Sequence, residues 1–333
     1  MKLIDVMSLL IPQMRMRRMK RILLCWHKGE LVITSMNLFK QPTSHDRTYG
    51  AWKELIKLIP SIKTSIVNLD PHALGTYYSM LMKGASDARS DDIRNIKIGV
   101  ASWLNKYPST RPPLNPEDRL SRGFQHDTIG RLLCPVEFDW NNMEVRAKLR
   151  ACEDGFDPSS SFFIRCLYPS NTADPNDVEN GFLRGSLLVK TFSTIFTSPS
   201  SAQHIKDDHN DDTENFPSLT RHTLFKSPKS NIATKLQLEN VTPCAIAYSA
   251  DLQLHFSLTD APSWKATYNS FSYEDFYNFV IDYFEDTPTV VAKDNSHALL
   301  KWWNKQIFPG RSKANKNTHS SRCRLEEQRA ARA

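Results

Sequence analysis

Residues 70–107, DPHALGTYYSMLMKGASDARSDDIRNIKIGVASWLNKY, decide the fold class. Asp70 followed by Pro71 is an N-cap and first helical residue: the carboxylate can accept from free amides, and proline lacks only a donor that has no partner there. Leu74, Tyr77, Tyr78 and Leu81 then recur at helical spacing. Ser90 with Asp91 and Asp92 reads as a second start, and Ile93, Ile96, Val100, Trp103 and Tyr107 continue one stripe. The pattern predicts two antiparallel helices turned at residues 84–89, and the prolines of residues 108–116 end the unit.

Working outward, the same period returns in every segment. A helix is expected over residues 140–150, and another over 186–196, stopped before Pro199. Thr242 and Pro243 open a segment that is apolar on most sides through Leu258, the mark of a central buried helix. Ser272 with Asp275 three residues on forms a capping box ahead of Phe276, Phe279, Val280 and Tyr283. A last helix carries Leu300, Trp303 and Ile307. Strand signal is limited to short pieces at 136–138 and 264–268. The expected fold is all-α or helix-dominated: a single multi-helix globular domain over residues 45–310 with minor short strands. A polar, acidic insertion at 203–230 reads as a flexible loop. A basic arm (1–44) and a basic, aperiodic tail (311–333) flank the domain, and neither the insertion nor the tail can bury enough apolar surface to offset its chain entropy.

Charge is unevenly placed. The net charge of +7 comes from the ends: residues 1–21 hold six basic side chains and one acid, residues 310–333 seven basics and two acids, so the middle is slightly acidic. Any nucleic-acid contact is therefore expected to be weak, non-specific and confined to the arms. The cluster Arg15, Arg17, Arg18, Lys20 and Arg21 could equally serve nuclear import. With 11 glycines and neither a GxGxxG nor a GxxxxGK[ST] motif, dinucleotide and P-loop folds fall away. Six cysteines without a CxxC pair exclude a zinc ribbon or disulfide scaffold and suit a reducing, intracellular compartment, nuclear or cytoplasmic. No apolar run reaches the roughly 18 residues of a membrane span. No cofactor or metal is expected, since the acidic insertion with His204 and His209 lacks the glycine and closing glutamate of a calcium loop.

The densest polar constellation is residues 122–140, RGFQHDTIGRLLCPVEFDW, read as one loop-like stretch. It gathers Arg122, His126, Asp127, Arg131, Cys134, Asp139 and Trp140. A thiol beside an imidazole could act as a nucleophile. The simpler reading makes Cys134 a small buried residue, His126 a backbone partner and the arginines braces of a long loop. A second group, Arg89, Asp91, Asp92 and Lys97, places carboxylates and a guanidinium at the supposed helix start, where the acids would complement the helix dipole and Arg89 would pair with them. The aromatic residues between Trp264 and Trp303 fall on helical stripes and are expected in the core.

Five blocks of the chain together resemble one family: KGASDARSDD at 83–92, the run at 122–140, FSTIFTSPSS at 192–201, VTPCAIAY at 241–248 and WWN at 302–304. It is an uncharacterised family, a domain of unknown function expanded in basidiomycete fungi, and the resemblance spans roughly residues 50–310. It implies kinship and no particular chemistry. The first forty or so residues and the acidic stretch 203–230 depart from its pattern.

These observations lead to an expected non-catalytic binding or interaction module, with another protein as one conceivable partner and no membrane. The surface it would use comprises Arg89, Asp92, Arg122, His126, Arg131, Cys134, Asp139 and Trp140. The alternatives are an enzyme using His126, Cys134 and Asp139, and a nucleic-acid-associated factor, mobile-element-linked or not, acting through the arms.

Overall fold

The computed structural model describes residues 56–57, 70–119, 122–156, 162–205, 231–254, 267–268 and 271–309. The basic arm, most of the acidic insertion (206–230) and the basic tail lie outside the described residues, as does the aromatic stretch before Thr267. What is described is helix-dominated. It holds α1 (Pro71–Leu104), α2 (Asp127–Leu133), α3 (Met143–Ala151), α4 (Ser186–Phe196), α5 (Pro199–Ala202), α6 (Ile232–Lys235), α7 (Pro243–Leu252), α8 (Tyr273–Glu285) and α9 (Val290–Ile307). Strands β1 (Thr267–Tyr268) and β2 (Phe271–Ser272) pair antiparallel, and three 3₁₀ turns lie at Gly123–Gln125, Arg165–Leu167 and Pro169–Asn171.

The start of α1 follows its sequence signal, with the Asp70 carboxylate accepting from His72 N at 2.8 Å and Ala73 N at 2.9 Å. The predicted turn at 84–89 does not form: α1 runs unbroken for 34 residues. Its buried stripe explains why. Leu81, Ala85, Ala88, Asp92, Ile96, Val100 and Trp103 follow one another at three- and four-residue steps, straight through the supposed break. A glycine inside a helix costs only about 1 kcal/mol, and burial of that continuous stripe outweighs it. The second start signal is satisfied within the helix, as Ser90 Oγ donates back to Ser86 O at 2.9 Å. No helix begins at Asp91 and Asp92, so these acids do not cap one. Asp91 forms an exposed pair with Arg94 at 3.6 Å, while Asp92 turns into the core and accepts from the Tyr248 hydroxyl of α7 at 2.9 Å.

Helix α4 is the centre of the packing. Every residue from Leu187 to Phe196 is buried, between α1 on one side and α7 on another. Its hydroxyls are returned to its own backbone, Thr191 Oγ1 to Leu187 O and Thr194 Oγ1 to Lys190 O, both at 2.9 Å; this lets polar side chains occupy a helix without a wet face. Helix α7 is likewise buried from Ala245 to Leu252. Thr242 caps it, and Ser272 accepts from Asp275 N at 3.2 Å at the start of α8. Phe276, Val280 and Trp303 are sealed in the core, and the Trp303 indole donates to Leu183 O at 3.1 Å. Pro199 does follow the end of α4, but it then opens the short α5, capped by Ser198.

One buried carboxyl is incompletely hydrogen-bonded among the described residues. Asp251 on α7 is 1% exposed, and its Oδ1 finds no hydrogen-bond partner among the described residues. Burial holds this carboxyl well above the usual carboxylate range, with Arg89 of α1 pulling the other way. A folded-state pKa raised above the unfolded one contributes stability that is fully present below the unfolded value, near pH 4, and is lost as pH rises toward the folded value. Asp251→Asn should remove that slope. In urea titrations between pH 4.5 and 8, the stability of the variant relative to the native chain should increase with pH; a constant difference would show that Asp251 is ionised in the fold.

Candidate functional site

A cleft of about 510 Å³ opens where the end of α1 meets α2 and the start of α4. Its first wall is the proline-rich segment after α1, which the pattern marks only as a helix breaker and which is firmly held. Asn105 clamps Leu114 through its backbone N and O at 2.8 and 2.9 Å. Thr110 Oγ1 donates to Leu104 O at 2.7 Å. The buried Arg122 guanidinium donates to Asn115 O at 3.2 Å and to Pro116 O. Guanidinium-to-carbonyl bonds of this kind order a loop that has no secondary structure of its own.

His126 completes the clamp. Its ring is 4% exposed, with Nε2 2.8 Å from Pro112 O and Nδ1 accepting from Ile129 N at 3.4 Å. That network assigns the proton to Nε2. The imidazole is thereby the N-cap of α2. The 122–140 stretch is therefore not a loop throughout: it contains a 3₁₀ turn and a seven-residue helix. Sequence rules favour serine, threonine, aspartate or asparagine as caps, so a histidine cap gives no warning.

Cys134 follows α2 and is fully buried. Its thiol donates toward Pro135 O at 3.4 Å and Phe138 O at 3.5 Å, and burial pushes it above the ordinary thiol range despite the nearby Arg165. Thiol and imidazole thus both bond backbone groups and form no pair with each other. Asp139 is exposed, and its carboxylate accepts from Asn141 N at 2.9 Å, closing a turn.

Of the residues singled out in the sequence, Arg131, Asp127, Asp139 and Trp140 line the cleft. Arg122 and His126 hold its wall, Cys134 packs beneath Trp140, and Arg89 and Asp92 belong to the α1–α7 contact. Trp140 is buried and closely surrounded. The Arg146 and Arg150 guanidinium groups lie 6.0 and 5.6 Å from its centroid, and a Cβ on Gly130 would come within 2.1 Å of the ring. The same two arginines pair with Asp127 at 3.5 and 2.6 Å.

Two cations in the cleft escape a reading of the sequence. Arg165, on the second 3₁₀ turn, donates through Nη2 to Phe138 O at 2.7 Å. Lys190, 2% exposed, reaches the cleft from the middle of α4, its Nζ 5.8 Å from the Trp103 ring centroid. A signal for Lys190 did exist: it is the one charged residue in SLLVKTFSTIF, a helix otherwise without charge. Arg165 offered none. Also on the lining, the hydroxyls of Ser109 and Ser186 and the carboxamides of Asn141 and Asn171 make no side-chain hydrogen bond among the described residues.

The described residues thus form a helix-dominated fold with a cleft lined by charged, hydroxyl and carboxamide side chains. More particularly, the chain belongs to a family of unknown function (DUF6698), which matches residues 83–308. No curated protein and no solved structure gives a significant match. Among the described residues, no helix is long and apolar enough to cross a membrane, and no group of three or more histidine, cysteine, aspartate or glutamate side chains could hold a metal ion.

The burial of Cys134 sets its reactivity. Cys152 and Cys244 are partly exposed, Cys134 and Cys166 buried, and none of the four is in a disulfide. On brief treatment of the folded chain with iodoacetamide at pH 7.5, peptide mass spectrometry should find Cys152 and Cys244 labelled and Cys134 untouched. Rapid labelling of Cys134 would instead mark it as an activated thiol.

Proposed function

We propose that the chain is a non-catalytic intracellular binding module, nuclear or cytoplasmic, whose ligand site is the cleft between α1, α2 and α4. The observation that carries this reading is the lining itself: three cationic side chains, and four hydroxyl and carboxamide groups that make no side-chain hydrogen bond among the described residues, converge on one concavity. A cleft of this size suits a small molecule, and convergent polar groups on rigid walls are how such a ligand is oriented. The clamped proline segment and the buried α4 supply those walls. Support against a nucleophilic enzyme comes from the thiol and imidazole, each bonded to backbone and buried. The four described cysteines, none of them in a disulfide, suit a reducing compartment.

Thermal unfolding of the full chain against a panel of metabolites tests the proposal. A ligand present at about 100 times its Kd should stabilise the fold by about 2.7 kcal/mol. Ser109 is exposed at the cleft, so Ser109→Trp should fill the cleft, leave the fold intact and abolish the shift. Stabilisation that survives Ser109→Trp, or turnover that depends on Cys134, would contradict it.

A further inference from the structure

A second concavity, of about 260 Å³, lies where residues 177–184 cross α8 and α9, and it shares no lining residue with the cleft. Residues 177–184 form turns rather than a helix or strand, yet they are firmly held. The amides of Asn180, Phe182 and Arg184 donate to the carbonyls of Asp177, Glu179 and Gly181 at 3.3, 3.2 and 3.1 Å, with Gly181 at φ +82°. From the core, the Tyr168 hydroxyl donates to Val178 O at 2.5 Å and the Trp303 indole to Leu183 O at 3.1 Å. A wall pinned in this way presents its side chains in a fixed arrangement, which lowers the entropic cost of binding.

Charges of opposite sign face this concavity without pairing with each other. The Arg184 guanidinium lies 5.7 Å from the Trp302 ring centroid and makes no hydrogen bond or ion pair among the described residues; its N–H fork matches a carboxylate in shape and charge. Opposite it in sign, Glu179 accepts from Asn295 Nδ2 of α9 at 3.1 Å and from the Tyr283 hydroxyl of α8 at 3.4 Å, both through Oε1. Its Oε2 and the Asp177 carboxylate make no hydrogen bond among the described residues. Tyr283 feels both signs: burial and then Glu179 push its hydroxyl up to about 12, while Arg184 pulls it down. A ligand of one sign suits such a lining poorly, since an anion would meet two carboxylates and a cation the guanidinium. A molecule bearing both signs a few bonds apart satisfies each. Behind the charges, Phe182 and Leu299, each 1% exposed, form an apolar floor beside Ala298. The volume falls just below the roughly 300–1,000 Å³ of ligand pockets, which suits a single small molecule. We infer that this concavity binds a free amino acid with an aliphatic side chain, its carboxylate on Arg184, its ammonium on Asp177 and Glu179, and its side chain on the Phe182 and Leu299 floor. It is a second ligand site, independent of the cleft.

Isothermal titration of the full chain with leucine, alanine and two leucine analogues that each lack one charge, 3-methylbutylamine and 4-methylpentanoate, tests this assignment. Leucine should bind saturably and more tightly than alanine, and each analogue should bind about tenfold more weakly than leucine or worse. Asp177 is exposed, so Asp177→Asn leaves the fold intact and should weaken leucine about tenfold. Arg184→Gln, checked for folding by circular dichroism, should bring leucine down to the affinity of 3-methylbutylamine, because the carboxylate then has no partner. No binding of leucine or alanine, or leucine affinity unchanged by either substitution, would overturn the site. An analogue that binds as tightly as leucine would overturn the zwitterion, and alanine binding more tightly than leucine would overturn the aliphatic side chain.

Discussion

Helix α4 has no face turned to water, and the rest of the molecule is arranged to satisfy that constraint. An ordinary surface helix buries one stripe; α4 buries every residue after its first, so neighbours must close on it from all directions. The long α1 covers one side, α7 another and α9 a third, with Phe192 set 5.2 Å from the Trp303 ring. Its threonines remain tolerable inside because their hydroxyls fold back on the preceding turn. Lys190 is the exception, a cation on an otherwise uncharged buried helix. Its ammonium lies over Trp103 and lines the cleft, as burial of a charge requires either pairing or access to a polar site.

Around that helix the cleft is assembled from pieces that are individually irregular. Its walls include the proline segment, two 3₁₀ turns and the residues on either side of Trp140. What makes them a defined surface is a set of side-chain bonds to backbone carbonyls and amides, supplied by Asn105, Arg122, His126 and Arg165. Each satisfies a buried polar group that a helix or sheet would have satisfied by repetition. The residues that looked most chemical in the sequence are in large part these clamps, so their chemistry supports the site from behind.

Helix class was legible in the sequence because burial is periodic: the bounds of α4, the cap of α7 and the Ser272 cap of α8 all follow from local signals. The misreading of α1 has the same root. Gly84 and the Ser90-Asp91-Asp92 run are local punctuation, while the stripe from Leu81 to Trp103 depends on contacts with α4 and α7, distant in sequence. Local propensity was overridden by tertiary burial. Of the cleft lining, Arg131, Asp139 and Trp140 stood out in the sequence because polar residues crowd there. Lys190 was hidden within an apolar segment, and Arg165 reaches the cleft only through the bridge that brings Ile164 beside Pro135, a long-range pairing with no local signature. His126 was noticed as a candidate partner for Cys134, and it caps α2 instead, because a histidine cap resembles a catalytic histidine until its partners are known.

Hydrogen exchange followed by mass spectrometry tests the central role of α4 most directly, because amides in the most buried element exchange only through global opening. Peptides covering residues 186–196 should exchange last, well after those of the exposed α3. Peptides covering 84–92 should be protected to the same degree as the following turns of α1. Exchange over 186–196 as fast as in α3, or a break in protection at 84–92, would contradict a fold built on one buried helix and one unbroken one.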